Sequence, residues 1–182
     1  MFNTLRLFVA VPLPQTLKDY LVKTRQAYDV PGIRAVPEQN LHLTLFFLGN
    51  EPAAQLDVIL EQLQNIARLH NPFTLTLEQL EPGPKRSAPR LVWARFQPHA
   101  AFEKLSLEVA KAFANNPAGH DKFIPHITLS RIKKEDRSMK DLPIIEPKEI
   151  VEFQVESLAL WQSTLASPHP VYTIVKEFNL GN

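Results

Sequence analysis

One short pattern occurs twice in the chain and constrains the fold more than any other feature of the sequence. The segments His42–Leu45 and His126–Leu129 both consist of histidine, an aliphatic residue, threonine and an aliphatic residue. Average residue frequencies give one such match in about 3% of chains of this length, so a pair is not expected by chance. Both lie in runs of strand-forming residues, where side chains alternate between two faces. Each segment is therefore expected to present His and Thr on one face and its aliphatic residues on the other.

Around these segments the sequence predicts a mixture of helices and strands. Apolar residues recur at helical spacing in three segments that each follow a proline: Leu17–Tyr28, Leu56–Ile66 and Phe102–Phe113. Runs with strand character are Leu5–Val11, Leu41–Leu48, Phe73–Leu77, Leu91–Phe96, His126–Ile132, Phe153–Trp161 and Val171–Phe178. The proline-rich stretch Glu81–Arg90 is predicted to be a long loop and not a domain boundary. We therefore predict an α+β fold in which residues 1–182 form one domain.

Charge and composition narrow the classes of function. The chain has 20 Lys and Arg against 19 Asp and Glu, a net charge of +1, so no overall field would hold a long stretch of nucleic acid. An enzyme of this charge acting on RNA is expected to grip one end of it. The absence of cysteine excludes disulfides, thiolate zinc sites and a cysteine nucleophile. The run Leu5–Leu13 is too short to span a membrane, so we expect a cytoplasmic monomer without membrane association.

The duplicated residues suit displacement at phosphorus. In such a reaction the attacking and leaving oxygens lie on roughly opposite sides of the phosphoryl group. One imidazole can remove a proton from water while the other, protonated, gives a proton to the departing oxygen. Histidine serves both roles near neutral pH because its ordinary pKa is about 6.5. The hydroxyls of Thr44 and Thr128 can donate hydrogen bonds to the phosphate oxygens, and no metal is expected, since carboxylate or thiolate ligands are lacking.

At these residues the sequence resembles the two-histidine phosphoesterase superfamily. Within it the chain resembles the RNA 2′,3′-cyclic phosphodiesterases of bacteria and archaea, also called 2′-5′ RNA ligases. The segments Arg6–Pro14, Asn40–Gly49 and Pro125–Arg131 carry this resemblance, which extends over nearly the whole chain. The family implies a bilobal α+β fold, with two pseudo-twofold-related lobes of antiparallel sheet around a central cleft.

The same resemblance implies roles for individual residues. His42 would be the proton donor to the leaving 3′ oxygen, and His126 the proton acceptor that activates water, giving a 2′-phosphomonoester. Thr44, Thr128 and Arg131 would bind the substrate. Arg131 would contact the phosphate or stack on the terminal base, because a guanidinium can do both. The implied substrates are RNA ends with a 2′,3′-cyclic phosphate, tRNA halves among them, and no cofactor is implied. Because the two segments have the same pattern, the residues alone do not show which histidine is the acid and which is the base.

Other conspicuous residues are interpreted as structural. His70, His99, His120 and His169 lack a threonine two positions later and lie near turn signals, so they are interpreted as structural or solvent-exposed. The charge-balanced run Lys133–Arg137 is interpreted as solvated surface. The aromatic residues of the predicted strands are assigned to the core: Phe8, Phe46, Phe47, Trp93 and Trp161.

Several functional alternatives stay open at this point. The first hypothesis is hydrolysis of RNA 2′,3′-cyclic phosphates, with joining of such an end to a 5′-hydroxyl as an accompanying reaction. That joining needs no ATP, and the chain has no Gly-rich phosphate loop. The second is a noncatalytic nucleotide-binding module, which two complete motifs disfavour. The third is an enzyme for a small cyclic phosphodiester or a 2′-5′ oligonucleotide. The cations of the 81–90 loop are candidates for steering phosphates, a role that also stays open.

Overall fold

The computed structural model describes residues 3–114, 123–133 and 141–182. Its three α-helices are α1 (Gln15–Thr24), α2 (Leu56–Arg68) and α3 (Ala100–Phe113). Short 3₁₀ turns cover Arg25–Tyr28, Glu38–Asn40 and Ala53–Gln55. The strands are β1 (Thr4–Val11), β2 (Ile33–Ala35), β3 (Leu43–Pro52), β4 (Phe73–Gly83), β5 (Leu91–Phe96), β6 (His126–Ile132), β7 (Glu152–Val155), β8 (Ser157–Thr164) and β9 (Val171–Asn179). No helix in these ranges is long and apolar enough to cross a membrane.

The strands form one antiparallel sheet whose order is symmetric about its centre. The order is β7-β4-β5-β6-β3-β1-β8-β9, and β2 adds to β6 beside this path. The two motif strands, β3 and β6, meet in the middle through the single pair Leu43–Ile127. Counting β6 and β3 themselves, four strands lie on each side of that junction, so the sheet consists of two similar halves. This arrangement confirms the α+β class and the two-lobed antiparallel fold implied by the resemblance.

The two faces of the central strands have different environments. The aliphatic residues of the motifs, Leu43, Leu45, Ile127 and Leu129, belong to the main core together with buried residues of α1, α2 and α3. On β1, Leu7 and Val9 join this core, whereas Phe8 belongs to a small separate cluster with Trp161. Because side chains alternate along a strand, that second cluster lies on the opposite face of the sheet, which is also the face of His42.

The predicted helices are confirmed, and the strand predictions need three corrections. The segment predicted as one strand over residues 153–161 divides at Glu156, because β7 pairs with β4 while β8 pairs with β1 in the other half. Strand β4 continues to Gly83, which pairs with Leu91, so the predicted loop is shorter and spans residues 84–90. The three-residue strand β2 was not predicted, since so short a segment carries little periodicity.

Candidate active site

The two motif histidines lie on neighbouring strands at the centre of the sheet. His42 immediately precedes β3 and His126 begins β6, and both side chains are partly buried. Antiparallel pairing around Leu43–Ile127 sets His42 beside Thr128 and Thr44 beside His126. The two histidines are then diagonal neighbours, and such Cβ atoms lie about 7 to 8 Å apart in a regular sheet. A single phosphate group fits between imidazoles at that spacing.

Each imidazole is held by the same hydrogen bond. Nδ1 of His42 lies 2.7 Å from the carbonyl oxygen of Asn40, and Nδ1 of His126 lies 2.7 Å from that of Ile124. A carbonyl oxygen only accepts, so Nδ1 carries the hydrogen and donates it in both rings. The neutral form of each histidine therefore has its lone pair on Nε2. The buried Asn40 is itself fixed, because its side-chain amide donates to the carbonyl of Pro170 at 2.7 Å.

Burial lowers the pKa of both histidine rings. The pKa of His42 is lowered to about 4, chiefly by desolvation, with the charges of His126 and Arg131 acting in the same direction and the hydrogen bond to the Asn40 carbonyl opposing them. Desolvation also lowers the pKa of His126, against the opposing hydrogen bond to Ile124. Near neutral pH both rings are uncharged in the free protein, and each offers a basic Nε2.

Aromatic rings pack against both histidines. The ring of Phe8 lies 4.9 Å from that of His42, with Tyr172 at 5.5 Å and Trp161 at 5.9 Å. The ring of Trp93 lies 4.7 Å from that of His126. Phe8, Trp93 and Trp161 are buried, as the sequence predicts, and they also form the walls that desolvate the two imidazoles.

The indole nitrogens of these tryptophans are anchored differently in the two halves. Trp161 donates to the carbonyl of Ala10 at 3.2 Å, whereas Trp93 donates to the carboxylate of Glu81 at 3.3 Å. The same carboxylate accepts from Arg95 at 2.7 Å. The His126 side of the sheet is therefore braced by an ion pair, and the His42 side by a backbone carbonyl.

A β-bulge follows each motif threonine and brings a further residue to the cleft. Leu45 is an extra residue in the pairing of β3 with β1, and Leu129 is an extra residue in the pairing of β6 with β5. Each insertion shifts the alternation by one position. The third residue after each threonine therefore returns to the face of the histidines: Phe47 in one half and Arg131 in the other.

The face of the motif residues opens into a cleft of about 320 Å³. Among the described residues, His42, Thr44, Thr128 and Arg131 line this cleft, and His126 is not part of the lining. The remaining lining residues include the cations Arg6 and Arg34, His169, Tyr172 and Phe47.

One interpretation from the sequence is wrong at this cleft. Phe47 was assigned to the core, but it is 66% exposed, because the bulge at Leu45 turns it outward. His169, interpreted as structural or solvent-exposed, is half-buried and belongs to the lining of the cleft. In neither case does the local sequence reveal the position.

The other discounted residues lie elsewhere. His70 is buried and contacts Glu108 at 2.7 Å, while His99 accepts a hydrogen bond from the backbone N–H of Ala101 at the start of α3. His120 and all but the first residue of the 133–137 run lie outside the described residues. Lys85, Arg86 and Arg90 are exposed and do not line the cleft. Within the described ranges, no cluster of three or more His, Cys, Asp and Glu could hold a metal ion.

A larger cavity of about 850 Å³ lies beside α3. Its described lining includes Phe96, Leu107, Phe123, Ile124 and Pro125, and it contains neither motif histidine nor motif threonine. The smaller cleft, where basic, hydroxyl and guanidinium groups converge, is the candidate active site.

Comparison with known proteins identifies the family of this chain. Residues 13–166 match the sequence profile of the 2′-5′ RNA ligase superfamily. The chain is 32% identical to the RNA 2′,3′-cyclic phosphodiesterase of Aquifex aeolicus, over 98% of this chain and 99% of that protein. A crystal structure of a Thermus thermophilus protein superposes with a TM-score of 0.83 at 31% identity, covering 97% of this chain and 98% of that one. Escherichia coli LigT complexed with NADP⁺ gives 0.81 at 29% identity, covering 99% and 100%.

Proposed function

The chain belongs to the 2′-5′ RNA ligase superfamily and is a hydrolase of the cyclic phosphodiesterase kind, and we propose that it opens RNA 2′,3′-cyclic phosphate ends to 2′-phosphomonoesters. In this proposal His42 and His126 are the acid–base pair. The observation that carries it is the matched pair of Nδ1–carbonyl hydrogen bonds, which leaves Nε2 of both rings free on one face of the sheet. Two histidines with only a structural role would not be expected to share this orientation.

The proposed step is an in-line displacement. Nε2 of His126 removes a proton from water, whose oxygen forms a new bond to phosphorus. The bond between phosphorus and the 3′ oxygen breaks, and protonated His42 gives its proton from Nε2 to that oxygen. The products are a 2′-phosphomonoester and a 3′-hydroxyl. Proton donation by His42 and acceptance by His126 follow the resemblance to the family.

The two threonines complete the site in this proposal. Thr44 and Thr128 line the cleft on either side of the central strand pair. Their hydroxyls can donate to the two non-bridging oxygens of the phosphate, where negative charge develops. Because each hydroxyl lies beside the histidine of the other strand, each motif histidine and threonine has a counterpart in the other half.

The lowered pKa of His126 agrees directly with its role as base. The lowered pKa of His42 agrees with its role as acid once the substrate is bound. A neutral His126 is already a base near pH 7. His42, with a pKa of about 4, must gain a proton before it can act as an acid. The negative charge of the cyclic phosphate favours the charged form of a nearby imidazole, so binding of the substrate raises the pKa of His42.

The size and lining of the cleft favour a single RNA end as the substrate. About 320 Å³ is near the lower limit of small-ligand sites, which suits one nucleotide and not a duplex. Phe47 offers an exposed ring on which a base can stack. Joining of the cyclic end to a 5′-hydroxyl is the same displacement with that hydroxyl in place of water, and it needs no ATP because the strained ring is already activated.

The test supplies an oligoribonucleotide ending in a 2′,3′-cyclic phosphate and identifies the monoester formed. The expected product is the 2′-phosphate, and an oligonucleotide ending in a linear 3′-phosphate is the unreactive control. Formation of the 3′-phosphate would contradict the 3′ oxygen as the leaving group. Turnover of small cyclic phosphodiesters alone would contradict RNA as the substrate.

A further inference from the structure

We propose that Arg34 and Arg131 together form a second anion subsite, which binds the phosphate joining the terminal nucleotide to the rest of the RNA. This inference rests on the proposed function and adds a preference for one kind of end. The enzyme would favour ends that carry a 5′-phosphoryl group on the last nucleotide over a free nucleoside 2′,3′-cyclic phosphate.

The first observation is a pair of like charges directly opposite each other. Arg34 on β2 is the cross-strand partner of Arg131 on β6, and both side chains are exposed and line the cleft. Like charges in this position repel each other and destabilise the pairing of the two strands. An anion bound between the guanidinium groups would remove that repulsion.

The second observation is that no protein carboxylate neutralises the pair within the described ranges. The ion pairs there join His70 to Glu108 and Arg95 to Glu78 and Glu81, all away from these arginines. Arg34 donates one long hydrogen bond of 3.4 Å to the carbonyl of Pro168. The charge of Arg131 acts on His42, where it disfavours protonation of the ring. An unneutralised positive pair beside an acid catalyst fits a site that is completed by a substrate anion.

The third observation separates this subsite from the reacting phosphate. The histidines and threonines are duplicated, but the third residue after each threonine is not, since Phe47 occupies the place that Arg131 has in the other half. Chemistry at the central phosphate therefore does not demand a cation at this position. The cleft instead has the exposed ring of Phe47, with Arg6 on the neighbouring strand, at one end and the facing pair of Arg34 and Arg131 at the other. A nucleotide with a base on one side and a phosphodiester on the other matches this polarity, and a guanidinium pair matches phosphate oxygens.

The test compares three substrates: adenosine 2′,3′-cyclic phosphate, the same compound with a 5′-phosphate, and the ApA dinucleotide with a 2′,3′-cyclic end. For the wild type we expect kcat/KM to be about tenfold higher for the second and third, the usual effect of one charge-assisted contact. Arg34→Gln should remove this advantage, so that kcat/KM for the second and third substrates falls to that for the first. Arg34→Lys should retain part of the advantage, because lysine keeps the positive charge but lacks the paired donors of the guanidinium group. Arg68→Gln, an exposed position on α2, is the matched control for net charge and should change nothing.

Several outcomes would overturn the subsite. Equal loss on all three substrates would mean that Arg34 holds the reacting phosphate, and preference for the dinucleotide alone would mean that the second base is recognised. If the wild type turns over none of the three substrates, the proposed function fails. Binding measurements then test the subsite without catalysis. Adenosine 3′,5′-bisphosphate should bind about tenfold more tightly than adenosine 3′-phosphate, and only in proteins that retain Arg34. Equal dissociation constants in wild type and Arg34→Gln would refute the subsite independently of catalysis.

Discussion

Replacement of His42 by glutamine is expected to remove an acid-sensitive part of the protein's stability. Burial lowers the pKa of His42 from 6.5 to about 4 in the folded state, and the charges of His126 and Arg131 contribute. In the unfolded chain the ring regains its ordinary pKa. Between these two values the unfolded state binds more protons at this site than the folded state does. The free energy of unfolding therefore decreases as the pH falls through this interval.

The size of the effect follows from the two pKa values. Each pKa unit is worth about 1.4 kcal/mol, so His42 alone should cost the wild type about 3 kcal/mol of stability between pH 7 and pH 4. Glutamine cannot titrate. The wild type is therefore expected to lose about 3 kcal/mol more than the His42→Gln variant over this range, whatever the difference between them at pH 7.

Urea unfolding of both proteins at pH 4, 5, 6 and 7 measures this difference, with equal m-values as the check that the unfolded states are comparable. His126→Gln is the companion variant, and its difference from the wild type should change in the same direction because burial lowers that pKa as well. A stability difference between wild type and His42→Gln that does not change with pH would refute the reasoning. It would mean that the ring is solvated in the folded protein.

Three further predictions concern the site and its supports. Turnover should survive EDTA, because the histidines and threonines supply acid, base and charge stabilisation without a metal, and loss of activity restored by a divalent cation would contradict this. Gly83→Ala should lower both the melting temperature and turnover, since its Cβ would lie 2.6 Å from the Trp93 ring that packs on His126. Overpacking of this kind costs about 1 to 3 kcal/mol, and an unchanged melting curve would show that the indole has room to move. Phe47→Ala should raise KM about tenfold for cyclic phosphate ends with little change in melting, because stacking on an exposed ring contributes to binding and not to folding. A fall in kcat at constant KM would argue against a stacking role.

The sequence predicts the elements of this fold well where a single periodicity decides them. The three helices follow from apolar spacing, and β5 and β6 have the predicted bounds, since Leu91–Phe96 and His126–Ile132 are strongly strand-forming. Pairing depends on contacts between distant segments, so the division of the 153–161 segment between the two halves of the sheet was not predictable from local composition.

The sequence predicts those residues of the candidate site whose positions follow from regular alternation along a strand. His42 and Thr44 share a face because they are two residues apart, as do His126 and Thr128. Arg131 was found through the family resemblance, because strict alternation would place it with the core. The bulges that bring Arg131 and Phe47 to the cleft arise from how β3 and β6 pair with their neighbours, which a single strand does not encode. The same holds for Arg34, whose importance depends on its partner across the sheet.

The most direct test of the acid–base pair measures turnover and melting on the same samples of wild type, His42→Ala, His126→Ala and the double variant. Each single variant should turn over a 2′,3′-cyclic phosphate end about 10² to 10⁴ times more slowly, a barrier increase of about 3 to 5 kcal/mol. The double variant should lose less than the product of the single losses, because the two groups act together. Folded single variants with full activity would contradict the account, since lowered melting temperatures with undiminished turnover are what histidines with a purely structural role would give.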